Sequence, residues 1–119
     1  MKKIRVLTLG LVATALLLWA LPANAHRNAT VVKVTAGKPS EFRFTLSVKT
    51  VKHGTVTFAV TGAGALPHDF QINGKKTKLL SSGQSQNLTV TFAKAGKYPY
   101  LCTVTGHAAA GMKGTLTVT

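Results

Sequence analysis

Acidic residues are the scarcest feature of this 119-residue sequence. It contains two, Glu41 and Asp69, against 15 lysines and arginines, which gives a formal charge of +13. A surface of one sign attracts acidic proteins, anionic membrane faces and polyanions. The basic residues are scattered and no aromatic-plus-basic recognition motif accompanies them, so we do not expect a nucleic-acid partner. With so few carboxylates, the sequence shows no set of residues typical of a hydrolase active site.

Cysteine is scarcer still, because Cys102 is the only one in the chain. A single cysteine can form no internal disulfide, and in an oxidising compartment it is open to intermolecular pairing or oxidation. On this observation alone two explanations stay open, a fully buried inert thiol and a metal ligand.

The sequence also lacks a clear membrane span. Its longest apolar stretch, from Val6 to about Leu21, is slightly shorter than the roughly 20 residues that a spanning helix needs. The flanking residues are those of a secretory signal peptide: Lys2, Lys3 and Arg5 before the stretch, and Pro22 and Ala23-Asn24-Ala25 after it. This order favours a signal peptide over residues 1–25, cleaved after Ala25, rather than an uncleaved anchor.

Cleavage would leave residues 26–119 as one exported domain with a single modest core. Three of the 15 basic residues lie in the signal, so the mature chain would keep 12 against two acids, a formal charge of +10. We expect a monomer in the periplasm or at the extracytoplasmic face.

After residue 25, no segment shows apolar residues at the sustained spacing of an amphipathic helix. Apolar residues instead alternate with polar or small ones in short segments, as at Phe42, Phe44 and Leu46, and glycine-containing turns separate the segments. This pattern is typical of half-buried strands. It predicts an all-β sandwich or barrel of about eight strands, near residues 29–36, 39–46, 48–51, 54–61, 67–73, 86–92, 97–103 and 112–119.

Three chemically active residues fall in the loop before the last predicted strand. Cys102, His107 and Met112 follow the spacing C-x4-H-x4-M. Tyr98, Tyr100 and Cys102 alternate along their strand, so we expect the thiol to point inward with the two aromatic rings.

His68 lies far upstream but alternates with Phe70 and Ile72, which also predicts an inward imidazole. Alone, an inward histidine is more often a structural residue with satisfied hydrogen bonds than a metal ligand. A lone methionine usually packs in the core. Together with the only cysteine, however, these residues predict a metal site. Two histidines and a cysteine in a trigonal arrangement with a weak axial methionine describe a blue-copper electron-transfer site.

The segments around these residues resemble the cupredoxin family. Residues 100–116 are similar to the C-terminal copper loop of azurin, auracyanin and plastocyanin relatives, and Leu66-Pro67-His68-Asp69-Phe70 resembles their first histidine segment. The resemblance implies a Greek-key β-sandwich that binds one copper ion. It also implies the ligand roles: equatorial nitrogens from His68 and His107, an equatorial thiolate from Cys102 and an axial thioether from Met112.

Asp69 departs from the family pattern, which often has asparagine after the first histidine. Two readings stay open at this position. A carboxylate that faces the copper would lower its reduction potential, whereas one that hydrogen-bonds a neighbouring loop would brace the site.

Three functions compete for this chain. The first is an electron shuttle between redox proteins with acidic docking surfaces, and the second is a copper-handling module with an extra site at an N-terminal His26. An enzyme with several copper centres would need more histidines than His26 and His53 provide, so we predict no catalysis. His53 lies in a Lys-His-Gly turn and is expected at the surface.

Small residues surround His107, from Gly106 to Gly111, and residues 64–67 are similarly small or apolar. We expect the two segments to form a flat apolar patch over the edge of the metal site, where a partner could dock.

Overall fold

The fold is described by a computed structural model that covers Gly10 and residues 29–119. The expected signal peptide over residues 1–25 and the candidate copper ligand His26 therefore lie outside the described residues. Within the described part, no helix is long and apolar enough to cross a membrane.

Nine strands follow one another along residues 29–119. They are β1 (Thr30–Ala36), β2 (Phe44–Leu46), β3 (Thr50–Val51), β4 (Gly54–Gly62), β5 (Gln71–Ile72), β6 (Lys75–Lys76), β7 (Ser85–Phe92), β8 (Gly96–Leu101) and β9 (Lys113–Val118).

The strands form two sheets, a first with the order β2-β1-β4-β7 and a second with the order β3-β9-β8-β5-β6. The pairs β1–β4 and β3–β9 are parallel, and the other pairs are antiparallel. Most neighbours are not consecutive in sequence, so the chain crosses repeatedly between the sheets, as the connections of a Greek-key sandwich require. The prediction of an all-β sandwich is confirmed.

Strand β4 illustrates why this sequence forms a two-sided sheet. Its valines and Phe58 are buried, and the residues between them face outward. Threonines on that outer face pair with residues of β7, with Thr55 Oγ1 3.2 Å from Thr91 Oγ1 and Thr61 Oγ1 2.9 Å from Ser85 Oγ. Period-two alternation therefore separates an apolar inner face from a hydroxyl-lined outer face.

Aromatic rings fill the space between the sheets. Phe58 packs with its ring centroid 5.2 Å from that of Phe70 and 6.2 Å from that of Phe92. Tyr100 of the second sheet continues the stack, 5.5 Å from Phe70. Side chains of both sheets therefore contribute to one large buried cluster between them.

Two predicted strands have bounds that differ clearly from those expected, and one observed strand was not predicted. The segment near 39–46 pairs only from Phe44, since residues 39–43 leave the sheet. The segment near 67–73 pairs as β5 and, separately, as an isolated bridge between His68 and Leu80. The short β6 was not predicted, because two exposed lysines show no apolar alternation. Its hairpin turns at Asn73 and Gly74, whose φ angles of 49° and 74° suit an Asn-Gly turn.

We predict that Phe58→Ala lowers the free energy of unfolding by about 3 to 5 kcal/mol, because the side chain is fully buried among other rings. The change should lower the melting temperature by more than about 10 °C. Val31→Thr, at a position of β1 that is 56% exposed, is the control and should stay within about 0.5 kcal/mol. Thermal and urea unfolding measure both, and equal stabilities would contradict this assignment of the core.

Candidate metal centre

The C-terminal donors lie in the loop that joins β8 to β9. Leu101 pairs with Lys113 at the end of the ladder, and the backbone N–H of Cys102 donates to the carbonyl of Met112 at 3.1 Å. Cys102 and Met112 therefore stand side by side where the paired strands end. Both are buried, and they share a small apolar cluster with Ala36.

His107 lies inside this loop and is held by its backbone. Its N–H donates to the carbonyl of Val104 at 3.0 Å, and its carbonyl accepts from Met112 N–H at 3.0 Å. The ring of Phe42 packs edge to face against the imidazole, with centroids 5.0 Å apart. Turn hydrogen bonds and one aromatic contact thus fix the direction of the ring.

His68 comes from the upstream segment of the second sheet. It exchanges two backbone hydrogen bonds with Leu80, at 3.1 and 2.7 Å, and its side chain is fully buried. Phe70 and Ile72 are buried on the same side, so the inward phase expected from their alternation is correct.

Three donor atoms converge from these two segments. The Nδ1 atoms of His68 and His107 are 3.1 Å apart, and Cys102 Sγ lies 3.6 Å from His107 Nδ1 and 4.0 Å from His68 Nδ1. Within residues 29–119, these are the residues grouped closely enough to hold a metal ion.

The spacing of the donors fits one small ion. Donors that surround a metal in a plane, at the bond lengths of about 2 to 2.3 Å typical of nitrogen and sulfur ligands, lie about 3.5 to 3.8 Å apart. The observed separations of 3.1, 3.6 and 4.0 Å bracket that range. Two imidazoles and a thiol, with a thioether beside them, are the donor types of a type 1 copper site.

Burial raises the pKa of the Cys102 thiol, and the Asp69 carboxylate adds to this rise, whereas hydrogen bonds from the backbone N–H groups of Asp69 and Val104 lower it. The thiolate is the form that binds metals, so a bound cation must supply the charge that compensates for desolvation.

Asp69 braces the two segments. Its Oδ1 accepts the backbone N–H of Thr103 at 2.6 Å, and its Oδ2 accepts the Thr103 hydroxyl. The carboxylate is buried and thus ties the residue after His68 to the residue after Cys102. These contacts correspond to the loop brace, one of the two readings left open by the sequence, and the effect of the same carboxylate on the pKa of Cys102 means that its charge also acts on a ligand.

Glu41 is a site residue that sequence reasoning missed. Its Oε1 lies 2.7 Å from His68 Nε2, and its two oxygens accept the backbone N–H groups of Leu66 at 2.9 Å and Ala65 at 2.8 Å. The hydrogen bonds from Leu66 and Ala65 lower the pKa of Glu41, and His68 adds to this effect, so the carboxylate is charged at neutral pH. The available signal was that this chain has only two acids.

Arg43 contacts the loop that carries Cys102, His107 and Met112. Its Nη1 donates to the carbonyl of Ala110 at 3.2 Å, within the copper loop, and to the carbonyl of Phe42 at 3.1 Å. His53, by contrast, is an exposed residue whose Nδ1 lies 3.0 Å from the carbonyl oxygen of Thr119. Its expected position at the surface is correct.

Comparison with known proteins agrees with this geometry. The model of the family described as copper binding proteins, plastocyanin/azurin family, matches residues 28–119. This chain belongs to that family. The resemblance to cupredoxins seen in the sequence is therefore confirmed, and it extends over all nine strands.

Individual proteins to which this chain is similar include auracyanins and, in fold, rusticyanin. Auracyanin-B of Chloroflexus aurantiacus is 51% identical over 43 residues, a match that spans 36% of this chain and 18% of auracyanin-B. Reduced auracyanin from Roseiflexus castenholzii superposes with a TM-score of 0.59 and 26% identity, covering 76% of this chain and 98% of the other. Rusticyanin from Thiobacillus ferrooxidans shares the fold, with a TM-score of 0.63, 24% identity and coverages of 75% and 76%.

The metal of this cupredoxin is copper. Family membership and the set His68, Cys102, His107 and Met112 fit a single type 1 ion. In general terms, they support a blue copper electron carrier.

We predict that Asp69→Ala destabilises the fold by about 1 to 3 kcal/mol, because the partly buried N–H of Thr103 and the Thr103 hydroxyl both lose their acceptor. Asp69→Asn keeps an oxygen for that N–H and should cost less. Urea unfolding of the metal-free protein measures both changes. If the alanine variant were as stable as the parent protein, the brace would have no structural role.

Proposed function

We propose that this protein is an exported one-electron carrier in which His68, Cys102, His107 and Met112 bind one copper ion. The observation that carries the proposal is the unequal burial of these residues. His68 and Met112 are fully buried and Cys102 is 1% exposed, whereas His107 keeps 8% of its surface accessible. A site closed to substrate but open at one ligand edge suits electron transfer.

Copper supplies the Cu(I)/Cu(II) couple when it is bound. The protein contributes fixed positions for hard and soft donors, since imidazoles suit Cu(II) and sulfur ligands suit Cu(I). Backbone hydrogen bonds of Cys102, His107 and Met112 hold the loop, and Asp69 holds it to the His68 segment. Donors that do not rearrange lower the reorganisation needed when the ion gains or loses an electron.

His107 is the proposed point of electron entry and exit. The loops on either side present exposed small or apolar residues: Ala65, Leu66, Pro67, Ala109 and Ala110. Arg43 contacts Ala110, and Lys113 follows the loop, so positive charge borders this patch. We therefore propose redox partners with acidic docking surfaces, recognised by brief apolar contact and steered by charge.

The sequence pattern of residues 1–25 supports export, and an extracytoplasmic location would suit a carrier between proteins outside the inner membrane. We propose no catalytic activity. The four residues that would bind copper are buried, with His107 the most accessible at 8%, so a substrate would have little access to the ion. His53 is engaged with the carbonyl of Thr119. Catalytic metal sites, in contrast, keep a position open.

The decisive test compares residues 26–119 loaded with Cu(II) with a Cys102→Ser variant. We expect an intense thiolate-to-copper absorption band and a narrow copper hyperfine splitting by electron paramagnetic resonance, both lost in the variant because Cys102 is the only residue that can supply a thiolate. The bound copper should also cycle reversibly without loss. A pale spectrum that the variant leaves unchanged would place copper elsewhere, as in a copper-handling module that uses His26.

We predict that Ala109→Glu slows electron exchange with an acidic partner by about ten-fold, because it adds like charge and bulk to the patch. Asn87→Glu, which adds the same charge on the exposed side of β7, is the matched control. Stopped-flow kinetics measures the rates, and the visible spectra of both variants should match that of the parent protein. Equal rates for the two variants would rule out docking at this patch.

A further inference from the structure

Glu41 contacts His68 at the ring nitrogen that faces away from the other donors. Nδ1 of His68 points toward His107 and Cys102, whereas Nε2 lies 2.7 Å from Glu41 Oε1. The carboxylate also accepts the backbone N–H groups of Ala65 and Leu66. Three donors thus hold Glu41 in place, and the contact with His68 is part of a fixed arrangement.

The backbone is shaped to permit this contact. Gly64 lies against the pair, and a Cβ there would overlap Glu41 Oε1 and stand 2.7 Å from His68 Nε2. Any larger residue would have to push the carboxylate or the imidazole aside. The glycine therefore leaves the space that the ion pair occupies.

The contact decides where the ring proton of His68 resides. A metal bound at Nδ1 uses the lone pair of that nitrogen, so the proton is carried by Nε2. A carboxylate that accepts from Nε2–H stabilises this tautomer, orients the ring and makes the histidine a stronger donor.

The charge of Glu41 matters because negative charge is so rare here. The described residues include two acids, Glu41 and Asp69, and Asp69 bonds to Thr103. Glu41 is therefore a negative charge directly behind the ligand His68. A fixed negative charge near a metal stabilises the more positive oxidation state more strongly.

We propose that Glu41 is a positioning residue of the metal centre, which holds the Nε2–H of His68, fixes that ring toward the ion and lowers the reduction potential of bound copper. The proposal rests on the proposed blue-copper function. It adds a role for a residue outside the four ligands.

The test is Glu41→Gln in the copper-loaded protein, which removes the charge while retaining the size of the side chain. We expect the blue band to persist and the reduction potential to rise. The ratio of Cu(II) to Cu(I) affinities should fall on the order of ten-fold, equivalent to about 59 mV for a one-electron couple. Redox titration of the blue band measures the potential, and thermal unfolding verifies that the variant folds.

Asn87→Lys is the matched control, because it changes the net charge by the same amount on an exposed position of β7. Its potential should stay within about 18 mV, a two-fold change in the affinity ratio. If Glu41→Gln shifted the potential no more than this control, the proposed role of Glu41 would be wrong while the blue-copper function stood. Absence of a blue band in the parent protein would instead reject the function itself.

A measurement on the unsubstituted protein remains decisive if Glu41→Gln does not fold. In the full chain loaded with Cu(I), nuclear magnetic resonance should detect a His68 Nε2–H proton that exchanges slowly with solvent. The exposed His53 provides the comparison, and its ring proton should exchange rapidly. A His68 ring proton that exchanged as fast as that of His53 would overturn the proposal.

Discussion

The hydrogen bonding of Asp69 to Thr103 is the interaction on which the metal centre depends. His68 and Cys102 lie 34 positions apart in the sequence and on segments that pair only through the short β5–β8 ladder. The Asp69 carboxylate joins these segments at the position directly beyond each ligand, by accepting both the N–H and the hydroxyl of Thr103. A buried carboxylate with two donors is stable, whereas the same group without them would be expensive to bury.

A second support comes from residues 41–43, which leave the first sheet before β2. Glu41 contacts His68, Phe42 packs against His107, and Arg43 reaches the carbonyl of Ala110. Three consecutive side chains therefore contact the two imidazoles and the copper loop. Such support lets the donors keep their arrangement without relying on the ion to organise them, which is what a carrier with two charge states requires.

The sequence was most informative where one physical effect dominates. Alternation of valine and phenylalanine with threonine predicted β1, β4, β7 and β9 closely, because one face of each is buried against the opposite sheet. It also predicted the inward phase of His68 and Cys102. The strand expected near 39–46 was too long, since hydrophobic alternation at Phe42 and Phe44 cannot reveal that residues 39–43 turn toward the site.

The partners of the ligands could not be derived in the same way. The contact between Glu41 and His68 joins residues 27 positions apart through loops, and loop geometry follows from tertiary packing rather than from local pattern. For Asp69 the sequence offered two alternatives, and its hydrogen bonds with Thr103 become visible only in the fold. The sequence shows directly that acidic residues are rare. That both of them lie at the metal centre becomes visible only in the fold.

Because both acids of residues 29–119 are engaged beside the copper ligands, the outer surface has almost no negative charge to offset its lysines. Eleven basic residues remain on this part of the chain, and its formal charge is +9. Two copies that approach each other therefore repel, at the ligand edge as elsewhere. The same charge that would favour an acidic partner therefore opposes electron exchange between identical molecules, and added salt weakens both effects.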